Sequence, residues 1–357
     1  MSRASFDYSV LVVGGGPAGA LASLDLARAG ARVLVVDRSR EPRTEAAELL
    51  APEGRRVLED AGVWSLVPPD LISPCSKMAA AWASAEPVWT SFAGQAAGYG
   101  WHIDRIRFDR WLLDLLRYSG VDVVEGTAER VETGAGGWRT GIRTAGSCET
   151  VSSHLLIVAT GRSAHRLHIG RRTRIDNLGL LAGLADPDPV DPDALIVEAA
   201  ADGWWYSAPL VDGRLFTGWM TDFSLVPHAQ YGETAVLSLA RTTVHARRVS
   251  HLRFSSAIGS AAWELTPAAG PGWIAIGDAA LARDPIGGDG LTAALTSARH
   301  GAEVVTRALQ GDDSVWAEAA AQAAVIAGNY RRRRLDLYRL AGERWPGAPF
   351  WERFARR

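Results

Sequence analysis

Residues Ser9–Asp37 read SVLVVGGGPAGALASLDLARAGARVLVVD, and the order of features in this stretch decides the fold. An apolar run, Val10–Val13, enters Gly14-Gly15-Gly16-Pro17-Ala18-Gly19. A helical stretch follows, and a second apolar run, Val33–Val36, ends on Asp37. Glycine suits position 14 because the chain must turn tightly there, and position 16 because backbone must come close to a pyrophosphate. At position 19 it lets the helix lie against the strand. The helix opening at Pro17 and Ala18 offers free N–H groups and a positive dipole end to phosphate. Asp37, about 20 residues on, is placed to accept from a ribose hydroxyl. A glycine-tolerant βαβ turn without a ligand accounts less well for strand, glycines, helix, second strand and acid falling in this order. The stretch predicts a dinucleotide site on Gly14, Gly16, Pro17, Ala18, Gly19 and Asp37. The loop that follows adds Arg38 and Arg43 as candidate contacts.

A second glycine-rich segment lies about 260 residues further on. Gly272-Trp273-Ile274-Ala275-Ile276-Gly277-Asp278 is a short apolar strand ending in Gly-Asp. Asp284-Pro285-Ile286-Gly287-Gly288-Asp289-Gly290 then opens a helix of small residues. This pair of elements resembles the second fingerprint of the p-hydroxybenzoate hydroxylase-like flavoproteins. The resemblance implies FAD, with Asp278 on the ribityl chain and the turn at Gly288, Asp289 and Gly290 facing the flavin pyrimidine. The electrostatics agree, since reduced flavin carries negative charge that a helix N-terminus stabilises. Leu155–Arg162 resembles a third family element, a strand ending in Ala-Thr-Gly, and implies a turn at Gly161. Val158 stands where that family usually has Asp. A fourth is Trp101-His102-Ile103-Asp104-Arg105-Ile106-Arg107-Phe108-Asp109, in which the resemblance places an arginine on the FAD pyrophosphate. Arg105 is the first candidate and Arg107 the second; the alternative for each is an exposed helix arginine.

Composition sets the outer bounds. Acidic and basic residues nearly cancel, 40 against 38, so no basic footprint argues for nucleic acid. The two cysteines, Cys75 and Cys148, have neither metal spacing nor a disulfide framework, and no metal is expected. No apolar run approaches the length of a membrane span, and Val10–Val13 reads as a strand and not as a leader; a cytoplasmic protein without membrane contact is expected. Lys77 is the only lysine beside 37 arginines, a bias that a GC-rich genome would also produce.

The fold class predicted is α/β, a Rossmann-like FAD-binding domain carrying an inserted antiparallel sheet and a C-terminal helical segment. Residues 1–74, 101–165 and 259–313 are assigned to the discontinuous FAD domain. Residues 75–100 and 166–258 form the substrate sheet, and 314–357 the helical segment. Expected strands in the insert are Leu195–Ala199, Trp204–Leu210, Leu215–Thr221 and Val249–Ser256, bracketing a helix near 232–242. Gly134–Gly137 reads as a hairpin turn. No second GxGxxG appears, so NAD(P)H has no domain of its own.

Within that superfamily the chain resembles the tryptophan halogenases and, more narrowly, the cysteine tryptophylquinone maturases, the flavoproteins that mature lysine and glycine oxidases. The residues that carry this are Glu48-Leu49-Leu50-Ala51-Pro52, Gly100–Asp109, Gly203-Trp204-Trp205-Tyr206-Ser207-Ala208-Pro209, and the closing Arg344-Trp345-Pro346 with Phe350-Trp351. The resemblance implies a monooxygenase acting through a flavin C4a-hydroperoxide on a tryptophan or other aromatic ring, free or within a peptide or protein. FAD would be reduced by NAD(P)H or by a partner flavin reductase, with O2 as co-substrate.

Two alternatives stand beside it. A flavin halogenase carries Trp-x-Trp-x-Ile-Pro and a relay lysine. Here Tyr206 and Ala208 replace the second Trp and the Ile, and Asp289 enters the halide-side turn. A carboxylate about 4 Å from chloride would cost about 4 kcal/mol at an effective dielectric near 20. Lys77 is retained as a candidate catalytic lysine because burial could lower its pKa. An isoprenoid-reductase-like flavoprotein is the other alternative, although no apolar surface segment advertises membrane contact. His102 is the candidate titrating residue near the flavin, against a structural role at the start of the next helix. Trp204, Trp205, Tyr206 and Trp219 are candidate substrate walls, against ordinary sheet core.

Overall fold

The computed structural model describes residues 7–38, 47–92, 98–134, 136–167 and 169–355. Arg43 lies outside them. Strand Tyr8–Val13 sits at the centre of a parallel sheet, between Val33–Asp37 and Cys148–Val158, with Asp122–Glu125 and Trp273–Ala275 on the outer sides. These central strands are near-continuous runs of Val, Leu and Ile, as burial on both faces requires. Helices Pro17–Arg28, Arg105–Tyr118 and Gly290–Leu309 cover one face, joined through Leu21, Leu24, Phe108, Leu112, Leu295 and Val305. An antiparallel hairpin, Thr127–Gly134 with Gly137–Arg143, covers the other through Ala128, Trp138 and Ile142.

A second sheet of seven strands runs in the order Arg253–Gly259, Leu178–Ala185, Leu215–Asp222, Gly203–Pro209, Leu195–Ala200, Lys77–Ala81, Val88–Ser91. All its pairings are antiparallel except that of Lys77–Ala81 with Leu195–Ala200. Its middle strands are buried on both faces. Helix Tyr231–Ala240 and the short helix His245–Arg248 pack beneath one face. The long helix Val315–Gly342 and the final helix Pro349–Ala355 meet the other, where Trp204, Trp82, Tyr338, Phe350 and Trp351 form one aromatic cluster. A three-stranded sheet, Ala47–Leu50, Gly100–Asp104 and Ile72–Cys75, lies between the two large sheets.

The α/β architecture with an inserted antiparallel sheet and C-terminal helices is therefore as the sequence predicts. Two details differ. The strand expected at 249–256 runs from Arg253 to Gly259, and Leu178–Ala185, second from the edge of that sheet, is an unanticipated strand. Its LGLLAGLA composition gives no alternation, because both of its faces are buried. Among the described residues no helix is long and apolar enough to cross a membrane.

Candidate active site

A cavity of about 550 Å3 lies where the central strands of the first sheet end against the second sheet. One end is made by Gly14, Gly16, Pro17, Ala18, Asp37, Arg38, Gly126, Thr127 and Gly161. Gly14 has φ +107°, and a Cβ there would stand 2.3 Å from the Ala159 carbonyl oxygen. A Cβ at Gly19 would stand 1.9 Å from the Gly14 carbonyl oxygen, so the helix can approach the strand only with glycine. Gly16 differs: a Cβ would meet no protein atom within 4 Å, and the space beside it belongs to the cavity. This is the cradle a pyrophosphate needs at a helix N-terminus. The Asp37 carboxylate accepts from the Gly15 N–H at 2.6 Å, which fixes it at the end of its strand, where a ribose is recognised.

Charged groups gather in the middle of the cavity. Arg105 donates Nη1–H to Glu48 at 3.0 Å and grips both oxygens of Asp109 at 3.1 Å. Burial raises the Glu48 carboxyl above its usual range, and Arg105 opposes that shift. Asp278 is raised by burial too, with Arg162, Arg105 and Arg283 acting against it; the Arg162 Nε lies 3.4 Å away. Arg162 also donates to the carbonyls of Ala261 and Arg283, which ties the turns after Val158 and Ala280 together. Gly288 and Gly290 line the same region; Gly288 is left-handed at φ +59°. Beyond these charges the cavity ends against Met78, Leu195, Val197 and Tyr206 of the second sheet, with Leu49 from the three-stranded sheet and Ile286 from the glycine turn.

The residues present thus fit FAD. Gly14, Gly16, Pro17, Ala18, Asp37, Arg38, Arg105, Gly161, Asp278, Gly288, Gly290 and Tyr206 all line one cavity. Arg107 does not; it is an exposed partner of Asp70.

Several expectations need correction. Lys77 does not reach the cavity. Strand alternation turns its neighbour Met78 inward, while the ammonium pairs with Asp191 and lies 5.0 Å from the Trp89 ring. That pairing raises its pKa, the opposite of an activated lysine. His102 is buried within the three-stranded sheet, donating from Nε2 to the Asp193 carbonyl at 2.9 Å, and burial lowers its pKa. It does not cap the next helix either: Asp104 does, accepting from the Arg107 N–H at 3.1 Å. Trp204 donates to the Tyr338 hydroxyl at 2.9 Å within the aromatic cluster. Trp205 stacks on Trp219 beneath the opposite face of the sheet. None of the three tryptophans lines the cavity. Asp289 also turns away, pairing with Arg283 at 2.9 Å. Its charge is therefore not the obstacle to a halide that the sequence suggested.

Glu48, Asp109, Arg162 and Arg283 line the cavity without having been assigned there. Glu48 and Asp109 stand in the Glu-Leu-Leu-Ala-Pro and Arg-x-x-x-Asp stretches, but nothing in either spacing says that one arginine holds both acids. Ser207, His245 and Glu198 form a further unanticipated array under the sheet. His245 Nδ1 lies 3.0 Å from Glu198 and Nε2 lies 3.1 Å from the Ser207 hydroxyl. All three are fully buried and outside the cavity, so the array fastens the helix His245–Arg248 to the sheet.

Comparison with known proteins agrees with this geometry. The chain is similar to LodB of Marinomonas mediterranea, named as an FAD-dependent oxidoreductase, at 26% identity over 97% of this chain and 96% of that one. It is similar to the solved structure of the peptidyl tryptophan dihydroxylase QhpG, with a TM-score of 0.79 and 27% identity over 98% of this chain and 78% of that one. The flavin-dependent halogenase CmlS shares the fold, with a TM-score of 0.85 and 22% identity over 99% of this chain and 67% of that one. The FAD binding domain model matches residues 7–323, and the chain belongs to that family as an FAD-dependent oxidoreductase.

Proposed function

We propose that this flavoprotein is a monooxygenase that hydroxylates an aromatic ring, most specifically a tryptophan side chain presented within a peptide or protein. The observation that carries the reading is the sheet end of the cavity. Leu49, Met78, Leu195, Val197 and Tyr206 wall an apolar space beside the glycine turn, and the chain's only lysine faces away from it in an ion pair. A ring held there needs no relay lysine for hydroxylation, whereas transfer of hypohalous acid does. The similarity to a peptidyl tryptophan dihydroxylase supports the same substrate class.

FAD, when bound, supplies the electrons and activates O2. NAD(P)H or a reduced flavin from a partner reductase delivers two electrons; one oxygen atom enters the ring and the other leaves as water. This chain's residues bind and orient. The glycine cradle and Arg105 hold the phosphates, Asp278 the ribityl chain, and the apolar walls exclude water from the ring.

One finding favours halogenation as a second reading: Arg283 neutralises Asp289, so the halide-side turn carries no net repulsion. Anaerobic reduction followed by rapid mixing with oxygenated buffer tests the first reading. A transient in the near ultraviolet before the oxidised flavin bands return, decaying faster with a tryptophan peptide, supports it. Direct reoxidation under all conditions overturns it. Turnover that requires bromide or chloride moves the assignment to halogenation.

A further inference from the structure

The junction between the charged middle of the cavity and its apolar end carries one acid–base group that cofactor binding leaves without a task. Strand Ala47–Leu50 places Glu48 there, opposite Ile103 in the neighbouring strand. Among the described residues the other cavity carboxylates are committed. Asp37 accepts from Gly15, Asp109 is held through both oxygens by Arg105, and Asp284 pairs with the buried Arg334. Asp278 lies among Arg162, Arg105 and Arg283. Among the described residues Glu48 has a single arginine contact, at 3.0 Å, from a guanidinium it shares with Asp109.

Among the described residues the groups facing Glu48 are few. Arg105 and Asp109 reach it from helix Arg105–Tyr118, and Asp278 from the Gly277–Ala279 turn. Tyr206 faces it from the second sheet, and its phenol is itself held up by burial and by the Glu48 charge. Two acids and burial push the Glu48 carboxyl up, against one shared cation. A carboxyl held above its ordinary range beside the apolar end of the cavity takes a proton more readily than a free one, as a general base requires.

We propose that Glu48 is the proton acceptor of the reaction. Resting on the monooxygenase reading, the step is as follows. The ring carbon that has gained oxygen loses its hydrogen as a proton, and the C–H electron pair returns to the ring and restores its aromaticity. The proton goes to a Glu48 carboxylate oxygen and from there to solvent at the cavity mouth. Arg105 acts as a positioning residue, orienting that oxygen toward the apolar end.

The test uses the FAD-loaded full chain as wild type, E48Q and E48D. Absorbance of the bound flavin, titrated between about pH 4.5 and 8.5, should show a one-proton step in wild type. The step should be shifted in E48D and absent in E48Q, with FAD affinity within about threefold in all three. With a short tryptophan peptide, kcat of E48Q should fall about 100-fold, the range for loss of a positioned base. KM and the rate at which reduced protein consumes O2 should be unchanged. A step that persists in E48Q, a wild type without one, or a lost step with unchanged kcat each overturns the proposal. Failure of the monooxygenase reading shows separately, as a wild type that never yields the near-ultraviolet transient.

Discussion

Replacing Glu198 with Gln should loosen one segment of the molecule in a pH-dependent way. The Glu198 carboxylate is 1% exposed and accepts from the backbone N–H groups of Thr243, Val244 and His245 at 2.5, 3.0 and 2.8 Å. It also accepts from the Thr243 hydroxyl at 2.8 Å and from His245 Nδ1 at 3.0 Å. These donors outweigh burial and hold the carboxyl at about 2, against an ordinary 4.5. A shift of that size corresponds to about 3 kcal/mol favouring the folded segment. Because the folded value is depressed, the contribution is fully present above about pH 4.5 and is lost as pH falls toward 2. Gln keeps one acceptor but no charge, so E198Q should lose most of it at pH 7 and little near pH 2.5. Hydrogen exchange of a peptide spanning 242–249 reads this directly: exchange at pH 7 should be about 100-fold faster in E198Q, and the gap should close with acidification. His245 is buried with a lowered pKa, so its contribution is likewise lost as pH falls below its ordinary 6.5. Equal exchange in the two proteins at pH 7, or a gap that does not change with pH, would refute the reasoning.

Other expectations follow from the site. G16A should fold with an unchanged Tm in the apo form yet lose FAD affinity, because its methyl enters the cavity. G14A should lose at least about 2 kcal/mol of stability through left-handed strain and the Ala159 contact, visible by thermal melting without cofactor. K77M should retain FAD binding and turnover within about twofold, since a half-exposed ion pair contributes at most about 1 kcal/mol; a large loss of kcat would restore the lysine to the mechanism. R334M should cost about 3–5 kcal/mol in denaturant unfolding, because Asp176 and Asp284 would both stay buried without their cation.

The nucleotide half of the site was legible because its signals are local. Gly14, Gly16, Gly19 and Asp37 lie within one βαβ unit, and each glycine answers a backbone demand that spacing alone reveals. The substrate half was legible in kind and not in detail. Trp204, Trp205 and Tyr206 were grouped as walls, but in a strand consecutive residues face opposite sides, so only one of the last two could meet the cavity. Which one depends on where the helices Tyr231–Ala240 and Val315–Gly342 dock, and no window of sequence contains that. Lys77 and His102 misled for a similar reason. Their partners, Asp191 and Asp193, lie 114 and 91 residues away along the chain and become neighbours only when the second sheet closes.

That closure has a consequence for how the protein comes to exist. Lys77–Ala81 finds its parallel neighbour, Leu195–Ala200, only after more than a hundred further residues have been made, and Trp204 finds Tyr338 later still. Synthesis at about 5–20 residues per second leaves the early strand and its hairpin partner Val88–Ser91 without a sheet for many seconds. Pairings so distant along the chain make for slow folding and expose unpaired strand edges meanwhile. The first βαβ unit meets no such delay, having its own contacts within 30 residues. The nascent chain should therefore acquire the glycine cradle well before it acquires a place for the aromatic ring, and FAD supplied during synthesis should improve the yield of folded protein.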